Sequence, residues 1–75
     1  MKVVTIQLHQ VNQVREFADL ASKCPFDIDL VSGRYTVDAK SLLGIYSLDL
    51  NRPLQVVIYG DNVDDFVKKL EQYLV

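Results

Sequence analysis

The side chains able to do chemistry in this chain are few, and they lie in two short segments. His9 is the only histidine, and it lies at the point where an apolar alternation changes to helical spacing. An imidazole exchanges protons near neutral pH and is a good nucleophile. Ser41 precedes an apolar run at 42–48, where its hydroxyl can accept a hydrogen bond from the first turn of a helix. Imidazole chemistry and helix capping are therefore the two roles to test.

Other common arrangements of functional residues are missing. The single cysteine, Cys24, excludes a disulfide framework and a cysteine-rich metal site. Asp61, Asp64 and Asp65 are typical of an acidic helix start and have no further ligands spaced to join them. There is no Ser-His-Asp arrangement, no glycine-rich phosphate loop and no paired acid and base. We therefore predict no metal and no cofactor, and a protein that is not an enzyme.

Length and charge limit the function further. The 75 residues predict a single domain, 1–75, with a core too small to enclose a deep cavity. Eight basic and ten acidic residues give a net charge of −2 without a basic run, which argues against binding to nucleic acid. No stretch has the pattern of a signal peptide or the length of a membrane span. The expected location is the cytoplasm, with no membrane contact.

The periodicity of apolar residues predicts the elements that must position these side chains. Alternating residues predict four strands, starting near Val3, Phe26, Arg34 and Leu54. Helical spacing predicts helices at 11–23, 42–48 and 63–74. Asn12 is the expected N-cap of the first helix, and Asn62 with Asp65 resembles a capping box for the last. The order βαββαβα predicts an α+β open-faced two-layer sandwich, with three helices on one face of a four-stranded antiparallel sheet.

Residues 40–48, Lys-Ser-Leu-Leu-Gly-Ile-Tyr-Ser-Leu, resemble the Lys-Ser-Ile-Met-Gly-Val-Met-Ser-Leu signature of the HPr phosphocarrier family. That family belongs to the bacterial sugar phosphotransferase system. Ala21-Ser22-Lys23 is similar to the family's Ala-Ser-Lys, and both segments align in one ungapped register over nearly the whole chain. The family's fold is the same βαββαβα sandwich. The resemblance also implies that Ser41 corresponds to a serine that is a regulatory phosphorylation site in many family members.

The same register places Gln10 where the family carries its phosphohistidine, within Gly-Ile-His-Ala-Arg-Pro. Asn12 and Gln13 then replace the arginine and the proline. Because glutamine has no nucleophilic nitrogen of useful basicity, Gln10 cannot hold a transferable phosphoryl group. A family variant with glutamine in place of histidine keeps its serine and acts in catabolite repression, and the present chain resembles it in part. That variant retains the Ala-Arg-Pro that this chain lacks.

Two hypotheses follow from the resemblance. In the first, the chain is a regulatory protein that binds other proteins and is phosphorylated, if at all, at Ser41. Its partners are then phosphotransferase enzymes, a serine kinase or a transcriptional regulator, and the chain itself is a monomer or weak dimer. The expected binding surface combines the two helices and consists of Gln10, Asn12, Leu42, Leu43 and Tyr46. In the alternative, the chain is a phosphocarrier that uses His9, with Arg15 as a phosphate ligand.

Overall fold

A computed structural model describes residues 1–75, and its elements follow the predicted order. A short 3-10 turn at Glu71–Tyr73 follows the last helix. The strands are β1 (Lys2–Ile6), β2 (Asp27–Ser32), β3 (Tyr35–Asp38) and β4 (Leu54–Tyr59). The helices are α1 (Val11–Ser22), α2 (Leu42–Tyr46) and α3 (Asp64–Lys69).

The four strands form one antiparallel sheet in the order β1-β4-β2-β3. Val56 of β4 lies opposite Val4 on one side and Leu30 on the other, and Leu30 in turn lies opposite Val37. Side chains alternate between the two faces of a strand. These four residues therefore share a face of the sheet with the residues two positions before and after them in each strand. The register therefore gives the sheet one continuous apolar face.

The helices cover that apolar face. α1 contributes Val14, Phe17, Ala18 and Ala21, which recur at helical spacing and are all buried. The whole core is apolar, without a buried polar or charged residue. On the opposite face the polar residues Thr5, Asp27 and Gln55 are exposed, whereas Asp29 is half-buried. The predicted open-faced sandwich is confirmed.

The end of the last helix differs from the prediction. α3 stops at Lys69, and Leu74 forms a bridge with Ile6 instead of completing the helix. The amide of Gln7 donates to the carbonyl of Tyr73 at 2.8 Å, and the amide of Val75 donates to the carbonyl of Thr5 at 3.2 Å. These bonds pair the end of the chain with the free edge of β1, so backbone groups that a longer helix would use are satisfied there.

The predicted helix starts also need correction. Asn12 is not an N-cap, since α1 begins at Val11 with Gln10 as its N-cap. α3 begins after Val63 without any side-chain cap, so the capping box expected from Asn62 and Asp65 is absent. α2 spans five residues and ends two residues earlier than the predicted 42–48. No helix of the chain is both long and apolar enough to cross a membrane.

The hydroxyl of Tyr73 generates a prediction about stability. Tyr73 is 2% exposed, and its hydroxyl has no hydrogen-bond partner. Burial, followed by the negative charge of Glu16, raises the pKa of Tyr73 above 10.0. The folded protein therefore holds this proton more tightly than the unfolded chain, so the associated stability is present below about pH 10 and is lost as the pH rises further.

We expect Tyr73→Phe to raise the free energy of unfolding at pH 7 by about 1 kcal/mol, because it removes an unpaired buried hydroxyl. We also expect this variant to lose less stability than the wild type between about pH 9 and 11. Urea denaturation at both ends of that range measures the two effects, with Tyr35→Phe on exposed β3 as the control. A clear loss of stability at pH 7 would instead mean that the hydroxyl bonds to Glu16.

Candidate functional site

A side chain of the first turn of α1 caps the start of the helix. The side-chain carbonyl oxygen of Gln13 accepts hydrogen bonds from the amide of His9 at 2.6 Å and from the amide of Gln10 at 3.1 Å. A glutamine at the third helical position reaches back in this way in a capping box. His9 and Gln10 are exposed, and the imidazole of His9 makes no hydrogen bond or ion pair. The backbone amides just before the helix are thus occupied from within the chain.

A shallow cleft of about 310 Å³ lies beside this helix start. It is bounded by residues at the end of β1, the first turn of α1 and the segment after α2. These are Gln7, Leu8, His9, Gln10, Val11, Val14, Leu50 and Asn51. No lysine or arginine lines the cleft, and nearby Arg52 is held by Asp49 at 3.4 Å. A phosphoryl group in this cleft would therefore contact side-chain amides and an imidazole, but no guanidinium or ammonium group.

Ser41 occupies the predicted position at the start of α2. Its Oγ accepts a hydrogen bond from the amide of Gly44 at 3.1 Å, and Ser41 has the extended backbone of an N-cap residue. Gly44 fits for a packing reason, because a Cβ there would lie 3.2 Å from Cβ of Val37 on β3. The glycine therefore allows close contact between α2 and the sheet. This contact explains why a residue of low helix propensity lies in the middle of α2.

α2 divides its apolar side chains between the core and the surface. Ile45 is fully buried, and Leu48 just beyond the helix is also buried. Leu43 is 84% exposed and Tyr46 is 40% exposed, whereas Leu42 is half-buried. Of the three side chains expected in the binding surface, Leu43 is therefore largely exposed, and Tyr46 and Leu42 are exposed in part.

The two helices run side by side in opposite directions. Beyond the end of α1, the carbonyl of Cys24 accepts a hydrogen bond from Nζ of Lys40, just before α2, at 3.0 Å. At the other end Gln10 and Leu50, which follows α2, line the same cleft. The structure therefore places Gln10 near the segment that follows α2, and Lys40, which precedes Ser41, near the end of α1. The exposed Leu43 and Tyr46 lie between these two points along the chain.

Three contributors to this region were missed from sequence. Gln13 closes the helix start, Val11 is 72% exposed beside the cleft, and Leu50 forms the opposite wall. The carbonyl of Leu50 accepts a hydrogen bond from the side chain of Gln7 at 3.1 Å. A glutamine three residues after a helix N-cap is a recognisable signal for Gln13. The other two depend on contacts between distant segments.

Comparison with solved structures identifies the class of protein that this fold and helix arrangement define. HPr-C-His from Thermoanaerobacter tengcongensis superposes with a TM-score of 0.80 at 30% identity, over 96% of this chain and 89% of that one. The phosphocarrier protein HPr from Bacillus anthracis gives a TM-score of 0.74 at 25% identity, over 99% and 94%. A histidine-containing phosphocarrier protein from Mycoplasma, at 14% identity over 95% and 86%, shares the fold with a TM-score of 0.71.

The chain belongs to the HPr phosphocarrier family. Its similarity to HPr-C-His runs along nearly the full length of both chains, so the shared fold is not confined to one motif. No family model and no curated protein matches the sequence.

The cap at Ser41 can be tested by mutation. We expect Ser41→Ala to lower the free energy of unfolding by about 1 kcal/mol, because the amide of Gly44 loses its acceptor. Ser41→Asp should restore most of that loss, since aspartate is also a good N-cap residue. Urea denaturation measures all three proteins, with Ser22→Ala as a control at an exposed serine near the end of α1. An unchanged Ser41→Ala would show that the cap contributes nothing to stability.

Proposed function

We propose that this member of the HPr family acts by binding partner proteins and does not carry a phosphoryl group. The observation that carries the proposal is the start of α1. There the residue in the phosphohistidine register is Gln10, and no basic residue lines the adjoining cleft. Phosphoryl carriage requires a nucleophilic nitrogen, with donors around it to balance the added charge. Both requirements are unmet at Gln10.

The hydrogen bonds of Gln13 support the same conclusion. A phosphate at a helix start is stabilised by free amides and by the positive end of the helix dipole. In this chain the amides of His9 and Gln10 already donate to Gln13. An added phosphoryl group would have to displace that carbonyl oxygen or do without those two donors. These two donors are therefore not free to bind a phosphoryl group.

A phosphoacceptor role for His9 is the alternative, and one observation favours it. His9 is exposed, borders the cleft and lies directly before the N-cap of α1. Its imidazole is the only side chain in the cleft able to accept a phosphoryl group reversibly. Arg15 lies outside the lining of that cleft, so the expected phosphate ligand is not part of it. The hypothesis therefore retains a nucleophile without its arginine.

Phosphoryl transfer can be measured directly. We expect no acid-labile label on the wild type after incubation with labelled phosphoenolpyruvate and the general phosphotransferase enzyme I. A variant combining Gln10→His, Asn12→Arg and Gln13→Pro should become labelled, because it restores the nucleophile and its donor. The HPr of Bacillus anthracis is the positive control. Label on the wild type that disappears in His9→Ala would overturn the proposal and establish the alternative.

The surface proposed for partner binding is the exposed side of α2, formed by Leu42, Leu43 and Tyr46, together with Gln10 and Asn12 of α1. Leu43 makes the strongest case, because a leucine this exposed adds nothing to the core. Exposed apolar groups rimmed by polar residues are typical of protein interaction sites. The partners we propose are phosphotransferase enzymes, a serine kinase or a transcriptional regulator, all of them cytoplasmic.

Regulation at Ser41 is part of this proposal. Ser41 is exposed, and its hydroxyl is already directed at the first turn of α2. A phosphate there would add charge at a helix N-terminus, where it is electrostatically favoured, beside the binding surface. Acid-stable labelling by a serine kinase of the phosphotransferase system, lost in Ser41→Ala but kept in Ser47→Ala, is the result we expect. Label that persists in Ser41→Ala would place the modification elsewhere.

Substitutions at Leu43 and Tyr46 should distinguish a role in partner binding from a role in stability. We expect Leu43→Ser and Tyr46→Ala each to weaken binding to a purified partner about fivefold or more, as truncation of an interface anchor does. Leu43→Ser should leave the melting temperature nearly unchanged, because Leu43 is exposed. Calorimetry against the partners named above measures binding, with Leu74→Ser as the control for an exposed leucine elsewhere. Unchanged affinity in both variants would remove α2 from the binding surface.

A further inference from the structure

A second cleft, of about 340 Å³, opens at the other end of α1. Its apolar lining comes from Leu20, Pro25, Phe26 and Phe66, which belong to the end of α1, the segment before β2 and α3. Cleft volumes of this order accommodate small organic molecules. Because the walls come from three separate segments, the cleft is a product of the fold and not of any one motif. It shares no lining residue with the cleft beside Gln10.

The aromatic floor of this cleft is held firmly. Phe66 is buried, and Phe26 meets it edge to face, with ring centroids 6.1 Å apart and an interplanar angle of 69°. Phe26 also lies against Gly60, where a Cβ would approach its Cγ to 3.0 Å. Edge-to-face pairs and close backbone packing restrict ring movement. A ligand would therefore meet a preformed apolar surface.

The polar groups at this end of α1 are already paired. The carbonyl of Leu20 accepts from the amide of Lys23 and from the thiol of Cys24, and the carbonyl of Cys24 accepts from Nζ of Lys40. Lys23 is held by Asp19 at 3.3 Å. The negative end of the helix is thus largely neutralised by groups of the chain itself.

One cation on the rim of the cleft remains without a partner. Lys69, at the end of α3, lines the cleft and forms no ion pair. Asp65, one turn earlier, is the only acidic residue in the lining. Burial raises the pKa of the Cys24 thiol, while the positive charges of Lys40 and Lys69 act in the opposite direction.

We propose that this cleft binds a small amphipathic carboxylate, with a hydrocarbon or aromatic group against Phe26 and Phe66 and the carboxylate at Lys69. Apolar walls with a few placed polar groups are the usual composition of a small-molecule site. The unpaired ammonium group selects an anion, and the aromatic floor selects an apolar body. This site is independent of the partner-binding surface on α2.

Three matched fragments test the proposal, each with one phenyl ring and a three-carbon chain: 3-phenylpropanoate, 3-phenylpropan-1-ol and 3-phenylpropan-1-amine. We expect the carboxylate to shift amide NMR signals of Cys24, Phe26 and Phe66, with a dissociation constant of about 1 mM, as suits a fragment of this size. The alcohol should bind about two- to fivefold more weakly, the range set by one exposed ion pair. The amine should bind most weakly.

Two charge variants on α3 complete the test. Lys69→Gln should bring the affinity for the carboxylate down to that for the alcohol, whereas Lys68→Gln, at a neighbouring exposed lysine outside the cleft, should change neither. Asp65→Asn should strengthen carboxylate binding. Bound carboxylate should also slow alkylation of Cys24 by iodoacetamide. Equal binding of all three fragments, shifts confined to other residues, or no shift up to about 10 mM would each overturn the proposal.

Discussion

The antiparallel pairing of β4 with both β1 and β2 is the constraint on which the rest of the molecule depends. It brings Leu54, Val56 and Ile58 to the middle of the sheet, where each is fully buried. A shift of one residue in either pairing would turn these side chains toward water and bring their polar neighbours into the core. The burial of this apolar surface fixes the register of the sheet. The register in turn fixes the position of α1 and of the loops at its two ends.

The region around α2 follows from that register. Gln7, just beyond β1, bonds to the carbonyl of Leu50 and so ties the start of α1 to the segment after α2. A five-residue helix is far too short to form alone in water. α2 is held by its Ser41 cap, by the contact of Gly44 with Val37 and by the burial of Ile45. Leu43 is largely exposed and plays no part in this support.

Local patterns were sufficient for the individual strands, for the body of α1 and for the cap at Ser41, because each depends on residues close together in the sequence. The alternation along β1 and the helical spacing of the buried residues of α1 are examples. The end of α3 was not predictable in that way, since it is decided by pairing between Leu74 and Ile6 across the whole chain. The apolar spacing that continues through Tyr73 favoured a longer helix, but hydrogen bonds to β1 end the helix earlier. Both clefts were missed because they, too, are formed by segments that are distant in the sequence.

The opposite directions of α1 and α2 bear on how one activity can be lost without the other. Phosphoryl carriage at the start of α1 would need a nucleophile with an arginine beside it, and Gln10, Asn12 and Gln13 supply neither. Modification of Ser41 needs only an exposed hydroxyl and a kinase that can reach it, and that hydroxyl belongs to the other end of α2. Substitutions at the first site therefore leave the cap and the exposed side of α2 unaltered. A protein without phosphoryl carriage can thus still present the exposed side of α2 to partners, while Gln10 and Asn12 alter the adjoining part of the proposed surface.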